Sequence, residues 1–149
     1  MATTAEAVTN ALISTVKAIT PTKRADLKFR ALASGDTPDA IPRTSGTFRY
    51  FDVWPIRGQE GDFQHPAEAE TRETFVIVVV YPQDNAIRDL RNLIRSDLHD
   101  IRVAVNADAA KGSGVLHQFV ESWETQWNAQ QGQLQLVVEV QVQFLESVS

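Results

Sequence analysis

Three histidines, His65, His99 and His117, are the side chains of this sequence best suited to metal ligation or proton transfer. None belongs to a His-x-x-x-His or His-Glu-x-x-His unit, the spacings that set two imidazoles on one helix face around a metal. They would have to converge through tertiary structure, and the simpler reading is three unrelated side chains. Ser113 stands between Gly112 and Gly114. A nucleophile elbow requires Gly-x-Ser-x-Gly on a turn from strand to helix; the frame and the context are both missing, so the segment reads as a flexible loop. Glu121 with Glu124, or Glu70 with Glu73, could form a general acid and base, but loops and strand edges carry such pairs routinely. No glycine-rich phosphate cradle is present. The chain has no cysteine, which excludes thiol catalysis, disulfides, Cys-ligated zinc and iron–sulfur clusters. Taken together, these residues point away from an enzyme and imply neither a metal nor an organic cofactor.

The chain has 149 residues, a length that fits one domain over 1–149 and can bury a core without staples. Its net charge of −5 and pI near 5.1 argue against a general nucleic-acid binder. No basic segment followed by an apolar core opens the sequence, so no signal peptide is visible. The longest apolar run, Phe75 to Tyr81, is far too short to span a bilayer. The expected class is a soluble globular protein made inside the cell, with no membrane partner.

The elements that would position these residues are led by the last strand. From Gln133 to Leu145 the even positions Leu134, Leu136, Val138, Val140, Val142 and Phe144 are apolar. The odd positions are polar except Val137 and Leu145. Alternation of this kind makes a strand with one greasy and one wet face. At roughly 3.3 Å per residue it would run about 40 Å, enough to cross a sheet from edge to edge. Its greasy face needs a cover. Thr4 to Ile19 reads as an amphipathic helix stopped by Pro21. Asp84 to about Val103 reads as a second, with Ile87, Leu90, Leu93, Ile94, Leu98 and Ile101 on its apolar stripe.

The other segments are shorter or less regular. Arg24 to Leu32 alternates like a short strand, although its helix propensity is also good. Ser34 to Ser45 reads as a loop. Thr47 to Trp54 is an aromatic strand, with Phe48, Tyr50 and Trp54 on one face and Arg49, Phe51 and Val53 on the other; Pro55 is expected to end it. Ile56 to Arg72 is polar and glycine-containing, and no element is expected in it. Glu73 to Tyr81 carries a continuous apolar run from Phe75 onward, the mark of a central strand buried on both faces. Asn106 to Gly114 reads as a loop. Val115 to Trp127 reads as a strand carrying His117, Phe119, Trp123 and Trp127 on one face, and Gln130 to Gly132 as the turn into the last strand. The order predicts an α+β two-layer sandwich: a four- to five-stranded, mostly antiparallel sheet with two helices packed on one face.

The order and several local patterns resemble the tail terminator (tail completion or neck) proteins of long-tailed bacteriophages. The resemblance is carried by the short first helix, the aromatic strand Phe48-Arg-Tyr-Phe-Asp-Val, the long polar stretch, and the Val-rich strand ending in Tyr81-Pro82. It continues in the helix with a central Asp (Ile94-Arg-Ser-Asp-Leu), the glycine-containing loop, and the hairpin arm Val120-Glu-Ser-Trp-Glu. It implies a structural virion protein of the tail or neck, assembled in the host cytoplasm. Such a protein forms a homo-oligomeric ring, a hexamer, that caps the tail tube, stops its polymerisation and offers a head-joining surface. The implied partners are further copies of the chain, the tail tube protein and a head-completion or connector protein, with DNA passing through unbound. A related head-completion or tail-tube protein is an alternative. So is a small α+β ligand-binding or enzymatic domain acting as a dimer, for which a deep pocket lined by His117, Trp123 and Trp127 would be the sign.

Three sets of residues are candidates for contacts. Arg88, Arg91, Arg95 and Arg102 form a narrow stripe on the second helix, with Asp97 inside the apolar arc. The stripe is either a solvated flank or, through Arg88, Arg91, Arg95 and Asp97, a seam between subunits. Burying Asp97 unpaired would cost several kcal/mol, so a backbone group or an Arg nearby is expected to satisfy it. The stretch Ile56 to Arg72, through Arg57, Glu60, Asp62, Phe63, His65 and Glu68, is either a mobile acidic loop or the part that grips tube or neck. The wet face of the last strand, through Gln135, Glu139, Gln141 and Gln143, faces either bulk water or the channel of a ring.

Overall fold

The computed structural model describes residues 2–32, 49–65, 68–82, 87–107, 110–128 and 133–147. The expected loop Ser34 to Ser45 and the expected turn Gln130 to Gly132 lie outside them. Helix α1, Ala5–Lys17, starts where Thr4 is extended and its hydroxyl accepts a hydrogen bond from the Ala7 N–H at 3.1 Å. That contact satisfies one of the donors left open at a helix start. Val8, Leu12 and Val16, one turn apart, are its buried face. After β1, Arg30–Ala31, come β2, Tyr50–His65, and β3, Glu68–Pro82. Helix α2, Ile87–Asn106, and the strands β4, Val115–Asn128, and β5, Gln133–Ser147, complete the chain.

The strands form one open five-stranded sheet in the order β1-β2-β3-β5-β4, parallel only between β1 and β2. Both helices contribute to a core against one face of it. Val8, Leu12 and Val16 meet Leu93, Ile94, Leu98 and Ile101 of α2 over Phe51 and Val53 of β2, the odd residues Phe75 to Tyr81 of β3, and the even residues Leu134 to Phe144 of β5. The alternation of β5 is thus realised, with Leu136, Val138, Val140, Val142 and Phe144 fully buried. Beyond it, Gln133 is an exception to the wet face: it is only 1% exposed. β3 lies between β2 and β5, and every residue from Thr74 to Tyr81 is buried, as a central strand requires. No helix or strand among the described residues covers the sheet's other face, called here the open face.

Three expectations are corrected. The strand reading of Arg24 to Leu32 shrinks to Arg30–Ala31, because Leu27 N–H closes a turn onto Arg24 O at 3.0 Å and Arg24 takes a φ of 51°. Within the polar stretch Ile56 to Arg72 the described residues, 56–65 and 68–72, are strand and not loop. β2 runs through Pro55 to His65, and β3 begins at Glu68, with Arg57 opposite Thr74, Gln59 opposite Arg72 and His65 opposite Glu68. Arg57, Glu60, Asp62, Phe63 and His65 therefore lie on β2, and Glu68 on β3. Pro55 does not stop the strand because the register slips immediately after it, between Pro55 and Arg57. Proline is tolerated at bulges and on edge strands, where its missing N–H costs little of the ladder. Cross-strand bonding to β3, itself backed by β5, overrides the turn propensity of the glycines.

The third correction concerns β4. Its pairing with β5 slips between Val120 and Ser122. Before the slip Phe119 lies opposite Gln141, on the open face; after it Trp123 lies opposite Val138 and Trp127 opposite Leu134, on the helix face. One extra residue in a strand moves everything beyond it to the other side. His117 and Phe119 are therefore separated by the sheet from Trp123 and Trp127, and the pocket that would have marked a ligand-binding domain is not formed.

Candidate interaction surface

The site is built outward from a buried polar cluster. Arg49, at a φ of 69°, just before β2, sends its side chain under α2. Its Nε and Nη2 each donate to an Asp97 carboxylate oxygen at 2.9 Å. Nη1 donates to the carbonyls of Arg24 at 2.6 Å and Leu27 at 2.5 Å, and Nη2 also donates to the Lys23 carbonyl. The Tyr81 hydroxyl donates to Asp97 at 2.6 Å. Arg49, Tyr81 and Asp97 are all 0% exposed. Burial holds the Asp97 carboxyl above its ordinary range, against the opposing pull of the Arg49 and Tyr81 hydrogen bonds. Burial, with the adjacent Asp97 charge, pushes the Tyr81 phenol well up, so it stays a neutral donor. The expectation that an arginine satisfies Asp97 holds, but Asp97 cannot also line a subunit seam: it is consumed inside the chain. The cluster positions α2 over the sheet. Asp100 adds to it by accepting from the Thr22 N–H at 2.8 Å and the Thr22 hydroxyl at 2.7 Å.

With α2 fixed in this way, its arginines fall beside β4. Arg91 and Arg95 are exposed. The Arg95 guanidinium sits 4.6 Å from the centre of the Trp123 ring, within cation–π range. A groove of about 390 Å³ runs between helix and strand, lined by Arg91, Ile94, Arg95, Trp123, Thr125, Trp127 and Leu134. Neither Arg91 nor Arg95 has a carboxylate partner among the described residues. Arg102 is exposed further along α2. Arg88 lies in the first turn of α2, its side chain outside the described residues. The groove was not foreseen, because it depends on the slip in β4 that brings Trp123 and Trp127 to the arginine side.

On the open face, Gln135, Val137, Glu139, Gln141 and Gln143 are all half-buried. Glu139 accepts from the Ser122 hydroxyl at 2.7 Å and lies 3.7 Å from the Arg57 guanidinium. Gln143 donates to Glu70. A small recess of about 200 Å³ joins Gln141 and Gln143 to Arg72, His117 and Phe119. The face as a whole is therefore not free of cations: neighbouring strands bring Arg57 and Arg72 to it, which a reading of the last strand alone could not include.

The candidates for chemistry disperse. Glu70 lies opposite Leu145, on the open face, and Glu73 opposite Val142, on the helix face. His99 is exposed on α2, His117 is on the open face, and His65 ends β2. Among the described residues no three His, Asp or Glu side chains are grouped to hold a metal. Ser113 sits in a turn that leads into a strand. Gly114, at a φ of 82°, completes that turn in a conformation a side chain would strain.

The fold and surfaces define an open-sheet α+β protein with its helices on one face and a long strand at one edge. No family model matches the sequence, and no curated protein does. Among solved structures the chain is similar in fold to a chain of the virion of a native gene transfer agent (GTA) particle. The TM-score is 0.58 at 13% identity, over 92% of this chain and 93% of that chain. At this identity the likeness is one of fold.

Proposed function

We propose that this protein is a structural, non-enzymatic component of a phage-like virion, and that within such a particle it is a tail terminator. In this reading residues 1–149 form one domain. Copies assemble in the host cytoplasm into a ring, a hexamer, that caps the tail tube, halts its growth and presents the surface that joins the head. The observation that carries the reading is the fold likeness to a virion chain, which spans nearly all of both chains rather than a shared fragment. The surfaces agree with such a role. The β2–β3 hairpin, with Arg57, Glu60, Asp62, Phe63, His65 and Glu68, is the proposed grip on tube or neck. Arg88, Arg91 and Arg95 are the proposed subunit seam, and Gln135, Glu139, Gln141 and Gln143 the proposed channel wall. The mechanism is geometric: a ring that matches the last tube ring on one side and offers no matching surface on the other cannot be extended.

The test is electron microscopy of particles assembled with and without the chain. Tails of uncontrolled length without heads in its absence, and a labelled chain found at the head-proximal tail end in its presence, are the expected results. Normal tails and heads without it would overturn the proposal.

A further inference from the structure

β4 is a 14-residue strand at the edge of the sheet, with no outer neighbour among the described strands. Such an edge presents a row of open backbone donors and acceptors, a template for another strand. Beside it, on the helix face, runs the groove bearing Arg91 and Arg95, floored by Ile94, Trp123, Trp127 and Leu134. Trp127 is 51% exposed there. An open strand edge flanked by two guanidiniums that have no carboxylate partner among the described residues, and by aromatic surface, fits an extended segment that is acidic and partly apolar.

The opposite edge of the same sheet offers one. β1 covers β2 only at Tyr50 and Phe51, so the stretch beyond has no outer strand among the described residues. That stretch contains Glu60, Asp62 and Phe63. Glu60 is in register with Thr71 and Phe63 with Ala69. Thr71 and Ala69 in turn pair with Phe144 and Glu146 of β5, on its even, helix-facing side. An acidic and an aromatic residue therefore stand at register positions aligned with the even residues of β5, on the sheet whose far edge bears the groove.

We propose that the β4 edge of one copy receives the 57–65 stretch of β2 from a second copy, extending the sheet from subunit to subunit with Arg91 and Arg95 meeting the acidic residues. Two different, complementary edges on one chain make a head-to-tail contact, which closes into a ring when the rotation permits. This inference rests on the ring reading above and names its interface.

The test is sedimentation over a concentration series of the full chain, of R91E/R95E, of E60K/D62K and of their equimolar mixture. Each variant alone loses self-association by roughly tenfold or more, because like charges then face each other. The mixture restores it, because each reversed groove meets a reversed strand. Variants that associate like the unaltered chain, loss in both without rescue on mixing, or an unaltered chain monomeric up to millimolar concentration would each overturn the interface. The tail-length experiment decides the ring reading separately. Tails that stay controlled while the charge variants behave normally leave a ring built through another surface.

Discussion

The guanidinium of Arg49 and the carboxylate of Asp97, 48 residues apart, form a two-bonded ion pair with no exposure to water. Both Asp97 oxygens are engaged by Arg49, and the guanidinium also holds three backbone carbonyls in the segment after α1. Removing one partner strands the other in the core. Arg49→Met is expected to destabilise the chain by about 3–5 kcal/mol, because it leaves Asp97 charged and unpaired. Replacing both, with Arg49→Met and Asp97→Leu together, costs less than the single change. Urea denaturation of the three forms checks this, and a single variant as stable as the unaltered chain contradicts it.

On β5 positions on opposite faces are expected to behave oppositely. Val138 is fully buried, so Val138→Asp places a carboxylate in the core at a cost of several kcal/mol. Gln141 lies on the open face, so Gln141→Lys stays within about 0.5 kcal/mol of the original. Thermal melts of the two variants measure the contrast.

Glu73 supplies a pH dependence. Burial, followed by the charge of Glu146, raises its folded-state pKa above the ordinary value, and its Oε2 is buried without a hydrogen-bond partner among the described residues. The folded state then binds more protons than the unfolded one between the ordinary and the raised pKa, so stability falls as pH rises through that window. Glu73→Gln removes the effect. It is expected to melt higher than the unaltered chain at neutral pH, with the difference closing as pH falls below the Glu range. Melting points from about pH 3 to about pH 8 span that range.

The slip in β4 separates two aromatic side chains by role. Trp123 stacks with Arg95 beside the open edge, whereas Phe119 borders the open-face recess. Trp123→Ala is expected to cost the folded subunit about 0.5–1 kcal/mol from the lost cation–π contact, besides lost packing, and to weaken self-association. Phe119→Ala is expected to leave association unchanged. Denaturation and sedimentation of both variants give the comparison.

The channel proposal is tested by changing Gln135, Glu139 and Gln143 together to Lys. Lysines attract phosphate, so normal particle assembly with impaired DNA delivery is the expected outcome. Unimpaired delivery removes this face from the channel wall.

The alternation of β5, the apolar run of β3 and the helical stripes of α1 and α2 are local periodicities. Each is written in consecutive residues, which is why the sequence alone determined the α+β class and the buried face of the last strand. The absence of cysteine likewise settled which chemistries were out of reach. The length of β2 and the face of each β4 aromatic were decided only in three dimensions. Pro55, Gly58 and Gly61 favour a turn locally, and the ladder to β3 overrules them. The slip near Glu121 needs the partner strand to exist before it can be seen, yet it alone brings Trp123 to Arg95. Asp97 on an apolar stripe showed that a partner was needed. Which arginine answers was set by the packing that buries Arg49 beneath α2, where neither charge can find water.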